Sequence, residues 1–418
     1  MSGRAGAAPT PRPPRPAGRS RDPYGIGPRG GWLAPLLAGL GLALVAVLTW
    51  GLFTRSLPFS VGGGHGGGVA GGPVPTVAPS GVVNVPPKSN VPGTLVYVKQ
   101  GNIWTQSGST ATQITTSGQG SMPSWSPDGR WIYYIETTQE GGYFPGGGSG
   151  PTRYLMDVPT LTRVRPDGSG AEKLLSGKYQ AGPYTWFYWL REPRVSPDGR
   201  TVALLSDAPD PNRNDVVLQL FDLKSGKLRP SGVAFNELAP LGHQDPAWRR
   251  DGKVLLYVRN GHDGARGAPV IFRYDPVTKK TVQVSASGYM QPSWSPDGRW
   301  IAATRTSNLG TDIAILDAKT GSEVLRLTND DRSWAPVWSP RGDAIVYLHI
   351  EGQIVDLKMI GLNGSGPSWT LTQLPDVTEH SGVDGGSAPS WYIPADQLPA
   401  PATPTPAATS SAGSSSAP

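Results

Sequence analysis

Six near-copies of one seven-residue phrase recur along these 418 residues, and they constrain the fold more than any other feature. Pro123-Ser124-Trp125-Ser126-Pro127-Asp128-Gly129 returns as Pro193-Arg194-Val195-Ser196-Pro197-Asp198-Gly199 and as Pro246-Ala247-Trp248-Arg249-Arg250-Asp251-Gly252. It returns again as Pro292-Ser293-Trp294-Ser295-Pro296-Asp297-Gly298 and Pro336-Val337-Trp338-Ser339-Pro340-Arg341-Gly342, and a truncated copy, Pro389-Ser390-Trp391-Tyr392, closes the series. Successive copies lie 44 to 70 residues apart, the period of propeller blades rather than of helical solenoids. A unit of this size cannot bury its own apolar face and must stack on its neighbours.

The residues around each phrase supply the strands. After each turn comes a run rich in β-branched and aromatic residues, such as Trp131-Ile132-Tyr133-Tyr134-Ile135 or Val254-Leu255-Leu256-Tyr257-Val258. Ser-Pro-Asp-Gly is turn chemistry: proline presets φ, aspartate bonds back to the backbone, and glycine takes positive φ. Two more strands follow in each unit, as in Asp312–Asp317 and Glu323–Thr328, so one unit is a four-stranded blade. The first unit opens at Leu95-Val96-Tyr97-Val98 without a Pro-x-Trp strand, and Ala388 to Ile393 is such a strand with nothing after it. The two ends together make one blade, which closes the ring and leaves no open edge between the first and last blades. The expected fold is an all-β, six-bladed β-propeller with terminal-strand closure over residues 94–394. Tryptophan holds the third position of the phrase in five of six copies, where its bulk suits packing between blades.

These phrases resemble the WD40-like (PD40) repeats of the TolB family, whose signature is Pro-Ser-Trp-Ser-Pro-Asp-Gly-Arg/Lys-x-Ile-Ala-Phe. Ser293 to Ala302 follows it closely, and Leu161 to Gly170 resembles the family's third strand and turn. The resemblance implies a protein- or peptide-binding platform outside the cytoplasm. Nothing here resembles the α/β domain that precedes the propeller in TolB, so the family's dealings with the Tol and Pal envelope proteins do not carry over.

The first 93 residues have another composition. Residues 1–31 are Pro, Gly and Ala with six arginines, the pattern of a disordered tail. From Gly31 to Thr54 no residue is charged, and the apolar run over 32–53, edged by Trp32 and Trp50, is long enough to cross a bilayer. It is longer than a secretory signal and no small-x-small cleavage site follows it, which favours a single uncleaved transmembrane helix. Six arginines precede the run and only Arg55 follows closely, so the N-terminus is expected in the cytoplasm and the propeller outside. Residues 54–93 are Gly/Pro-rich and read as a flexible spacer, and 395–418 as a low-complexity Pro/Ala/Ser/Thr tail.

Charge follows the same division. Residues 1–55 hold seven arginines against one acid, Asp22, which is the whole net charge of +6. The remainder balances 30 basic against 30 acidic residues, so no basic excess argues for nucleic acid. With no cysteine in the chain, packing and strand pairing alone hold the ring, which is expected to be monomeric.

Two connections are long, and both belong to the unit that begins at Pro123. Thr137 to Thr160 separates its second and third strands, and Ser176 to Glu192 leads to the next blade. Such connections leave a propeller on one face, at the mouth of the central channel, where loops on a rigid scaffold carry function. They bring Tyr143, Phe144, Tyr184, Trp186, Phe187, Tyr188, Trp189 and Arg191, the residue types preferred as interface anchors. An equal alternative has these rings fold inward as a local cap.

Enzyme constellations are sparse. No Gly-x-Ser-x-Gly elbow occurs. His65, His243, His262, His349 and His380 are scattered, whereas TolB-like rings that act as lyases on pectate fragments bind a metal with several channel histidines. Asp210-Pro211-Asn212-Arg213-Asn214-Asp215 echoes a calcium loop but lacks the glycine and the bidentate glutamate such a loop needs. No cofactor or metal is therefore expected. The leading expectation is a membrane-anchored scaffold for an envelope protein or peptide. The alternative is an extracytoplasmic lyase or hydrolase acting on a glycan or peptide at the channel.

Overall fold

Each phrase ends the innermost strand of a blade. The computed structural model describes residues 82–84, 90–145, 151–211, 214–233, 242–260 and 268–398. The basic tail, the apolar run 32–53 and most of the spacer and C-terminal tail lie outside these residues; among the described ones no helix is long and apolar enough to cross a membrane.

Six sheets follow one another around the ring. Blade 1 joins the chain's two ends: β27 (Ser390–Tyr392) lies innermost, then β2 (Val91–Lys99), β3 (Asn102–Gly108), β4 (Thr110–Gln113) and, outermost, β1 (Val82–Asn84). Blade 2 is β5 (Gly120–Trp125), β6 (Ile132–Pro145), β7 (Pro151–Val164) and β8 (Glu172–Ser176), enlarged by β9 (Lys178–Ala181) and β10 (Tyr184–Phe187). Blades 3 to 6 are plain four-stranded meanders. They run from β11 (Arg191–Val195) to β14 (Lys227–Pro230), β15 (His243–Trp248) to β18 (Thr281–Gln283), β19 (Tyr289–Trp294) to β22 (Glu323–Arg326), and β23 (Ser333–Trp338) to β26 (Thr370–Gln373).

Closure runs through β27, whose Ser390, Trp391 and Tyr392 pair antiparallel with Val96, Leu95 and Thr94. Trp391 Nε1 donates to the Pro92 carbonyl at 2.7 Å, and the Asp384 carboxylate accepts the N–H groups of Gln100 and Gly101. Packing continues past the expected boundary at 394, because Leu398 still touches the core. Val82–Asn84, within the stretch read as spacer, adds a fifth strand outside β4.

Apolar side chains gather in six clusters, one in each seam between neighbouring blades. The tryptophans of the phrase belong to these seams. Trp125, Trp338 and Trp391 are buried, while Trp248 and Trp294 send Nε1–H to the Arg194 and Ala247 carbonyls of the preceding blade. The Ser-Pro-Asp-Gly turn repeats as well: Ser126 Oγ donates to Asp128 and accepts the Trp131 N–H, Gly129 sits at φ 68°, and Ser196 and Ser295 bond their aspartates in the same way. In the copy where Arg341 replaces the aspartate, Ser339 turns to Asp343 instead, at 2.8 Å.

Candidate binding surface

Blade 2 departs from its neighbours because its central hairpin does not stop at the rim. β5 pairs with β6 only as far as Gly120 opposite Glu136. Beyond that point β6 and β7 continue as an unbroken ladder to Pro145 opposite Pro151. The described parts of the stretch from Thr137 to Thr160, residues 137–145 and 151–160, thus form a projecting two-stranded arm.

The second insertion joins the arm. β9 and β10 form a hairpin with Trp186 opposite Tyr179, and Thr185 pairs with Tyr143 of β6. A Cβ on Gly142 would lie 2.6 Å from the Thr185 carbonyl and 2.8 Å from Met156 Sδ, so only glycine allows this approach. The Tyr154 hydroxyl donates to the same carbonyl at 3.3 Å. The β9–β10 hairpin therefore leans over the face that carries Gly142, Tyr154 and Met156, and the opposite face stays open.

This placement divides the eight expected anchors. Tyr143 and Trp189 are each 46% exposed. Phe187 meets Trp189 edge-on, with centroids 5.3 Å apart. Trp186 lies between Tyr179 and Tyr184, nearly parallel to both at 6.1 and 6.2 Å, and its Nε1 is buried without a partner. Tyr188 packs into the seam between blades 2 and 3 and donates its hydroxyl to the Ser176 carbonyl at 2.9 Å. Phe144 pairs through its backbone with Thr152. Arg191 opens the inner strand of blade 3, its guanidinium 3.9 Å from Glu192. Tyr179, which packs on Trp186, belongs to the same group and was not among the eight. The Trp189 N–H is fixed by Asp207 of blade 3 at 2.7 Å, and burial raises that carboxyl above its ordinary pKa.

The channel mouth beside the arm carries a feature that the motif does not announce. The residue just before the phrase's proline adopts left-handed φ in five blades: Met122, Glu192, Asp245, Gln291 and Ala335, at 51° to 54°. Each lies in the bulge that interrupts its inner strand's register. That conformation costs a non-glycine residue roughly 1–2 kcal/mol. It also turns each N–H toward the blade before, where a side chain accepts it. Met122 N–H donates to Ser387 Oγ at 3.1 Å, Glu192 N–H to Met122 Sδ at 3.3 Å, and Asp245 N–H to the Glu192 carboxylate. Gln291 N–H donates to Asp245 Oδ2 and Ala335 N–H to Gln291 Oε1, both at 2.9 Å. The links run through all six blades.

Within the channel is a cavity of about 270 Å³, lined by Ser124, Arg194, Asp245, Gln291, Ser293 and Ser390 among others. Burial, reinforced by the neighbouring Glu192 carboxylate, pushes Asp245 well above the usual carboxylate range. Burial also lowers the Arg194 guanidinium, against the pull of Glu192 and Asp245.

No family model matches the chain. An uncharacterised protein of Agrobacterium fabrum is 30% identical over 146 residues, 34% of this chain and 40% of that protein. The Tol-Pal system protein TolB of Francisella tularensis is 25% identical over 252 residues, 58% of this chain and 48% of that protein. Among solved structures, TolB from Acinetobacter baumannii superposes with a TM-score of 0.50 at 20% identity, covering 72% of this chain and 66% of that one. The ring is a TolB-like propeller. The chain spans about half the length of the curated TolB relatives it matches, 48% in one case and 58% in another.

The described histidines of this TolB-like propeller, His243, His349 and His380, form no cluster at the channel. His243, 2% exposed, lies in the seam between blades 3 and 4, where Nδ1 accepts the Leu218 N–H at 3.1 Å. Burial, with Arg259 nearby, lowers its pKa to about 4. His349 in blade 6 has both the Ser333 hydroxyl (3.1 Å) and the Asp330 carboxylate (3.4 Å) at the same nitrogen, Nδ1. A catalytic triad needs serine and aspartate on opposite nitrogens, so this cluster is not one. His380 is exposed, and His65, His262, Asn212 and Arg213 lie outside the described residues. Among the described residues no three His, Asp or Glu side chains converge as a metal-binding group.

Proposed function

We propose that this protein is a membrane-anchored, extracytoplasmic scaffold whose propeller holds an envelope protein or peptide at the channel mouth, through the arm of blade 2. One observation carries the reading: two insertions, far apart in sequence, pair through Tyr143 and Thr185 and display Tyr143 and Trp189 to solvent on a rigid ring. Large aromatics fixed on a firm support lose little entropy when a partner covers them. The curated relatives named Tol-Pal system protein TolB favour a binding role for the ring, and the arginines ahead of the apolar run 32–53 favour its placement outside the membrane. A photo-crosslinking residue at position 143 or 189, activated in intact cells, tests this. The same envelope protein captured from both sites, and not from exposed Val277 on another blade, supports the reading; equal labelling from all three contradicts it.

A further inference from the structure

The outer edge of the arm is open, and its sequence is matched to itself. β8 covers β7 only at Thr160 to Arg163, with Gly177 N–H closing on the Pro159 carbonyl at 2.7 Å. From Pro151 to Val158 no strand lies outside β7 among the described residues. The free outer edges of the plain blades are three or four residues long, the usual way of avoiding edge-to-edge association, and this one is longer.

The Pro159 carbonyl points outward, and backbone groups on a strand alternate sides, so Asp157, Leu155, Arg153 and Pro151 also point outward. Of these, the prolines have no N–H and stand at the two ends of the open stretch. Pro-Thr-Arg-Tyr-Leu-Met-Asp-Val-Pro, residues 151–159, is symmetric about Leu155 in the respects that matter to an antiparallel partner. Leu155 meets its own copy, Arg153 meets Asp157, and each proline meets the other where the ladder must stop.

Arg153, Leu155 and Asp157 also share the open face of the arm, Leu155 being 73% exposed, while Met156 and Val158 are buried on the other. Neither Arg153 nor Asp157 has an ion pair or side-chain hydrogen bond among the described residues. Charges of one sign would repel a second copy here; these are of opposite sign and two-fold matched.

We infer that the β7 edge is a homodimer contact, in which two copies of this chain pair antiparallel about Leu155 through Arg153–Asp157 ion pairs and about six backbone hydrogen bonds. The contact joins two sheets across blade 2 and leaves the channel and Trp189 free. It departs from the monomer expected of a closed ring, because closure removes the edges between blades but not the edge of an arm that projects beyond them.

The chain has no cysteine, so Leu155→Cys introduces a single reporter. In the full chain, purified in detergent micelles and mildly oxidised, this variant should form a disulfide-linked dimer at least about tenfold faster than Leu309→Cys, an exposed position on blade 5. Arg153→Asp and Asp157→Arg should each abolish dimers in sedimentation, since each sets like charges opposite one another twice. The double variant should restore them, with melting temperature monitored in all three. Equal crosslinking at 155 and 309, or failure of the double variant to recover dimers while it remains folded, overturns the inference.

Discussion

The backbone N–H of Gln291 donates to the carboxylate of Asp245, 46 residues earlier, at 2.9 Å. The two hold the same place in successive blades, each just before the phrase's proline and each in left-handed φ. Removing the acceptor in Asp245→Ala leaves the Gln291 N–H unsatisfied and should cost about 1–3 kcal/mol in urea denaturation at pH 7. Asp245→Asn keeps an acceptor and sheds the charge. The carboxyl's folded pKa is raised above its unfolded value, so its stabilising contribution is present at low pH and lost as pH rises through the folded pKa. Wild-type stability should therefore decline more than that of Asp245→Asn as pH rises from about 4, the ordinary carboxylate value, to about 8. Parallel stability profiles for the two proteins from pH 4 to 8 would contradict this.

His243 sets the acidic limit by the opposite sign. Its folded pKa, about 4, lies below the unfolded value near 6.5, so its contribution is present above pH 6.5 and lost as pH falls toward 4. The loss is on the order of 3 kcal/mol over that window. His243→Asn, which can still accept the Leu218 N–H, should flatten the acid slope. An unchanged slope in thermal melts between pH 6.5 and 4 would show that other groups set it.

Ring closure predicts a sharp contrast between two truncations. Ending the chain before Ala388 removes β27 and opens the seam that holds Leu95, Leu357 and Trp391. Ending it after Leu398 leaves that seam whole. The first should lower the melting temperature by well over about 10 °C and the second by no more than about 2 °C. Similar melts for the two would refute closure by the terminal strand.

Proposed topology is tested with protease on intact cells. Fragments of the propeller should appear while an epitope in the arginine-rich residues 1–31 stays protected. Recovery of a soluble protein beginning after Phe53 would show that the apolar run is removed instead.

The ring was legible because its signal is local and repeated. Ser-Pro-Asp-Gly dictates a turn wherever it stands, and the unmatched ends, Leu95–Val98 and Ala388–Ile393, could only complete each other. The arm was half legible. Length and aromatic content marked both insertions, but the pairing of Thr185 with Tyr143 depends on a close approach over Gly142 that no pattern of hydrophobicity records. Nor did ring chemistry separate Trp186, stacked between two tyrosines, from exposed Trp189, three residues on. The chain of hydrogen bonds at the mouth left a faint trace: acceptor side chains at Glu192, Asp245 and Gln291, each just before the phrase's proline. Its cause is a backbone bulge, and bulges become visible only in the register of paired strands.

The same split between Trp186 and Trp189 gives the most direct test of a binding arm, made on the partner captured from positions 143 and 189. Trp189→Ala and Tyr143→Ala should each weaken its affinity by about 2 kcal/mol, some thirtyfold in Kd, with the melting temperature within about 2 °C of wild type. Trp186→Ala should instead destabilise the β9–β10 hairpin, seen as faster amide exchange over residues 178–187. Affinity unchanged in both Trp189→Ala and Tyr143→Ala, with the ring still folded, would contradict the arm as the place where this propeller holds its partner.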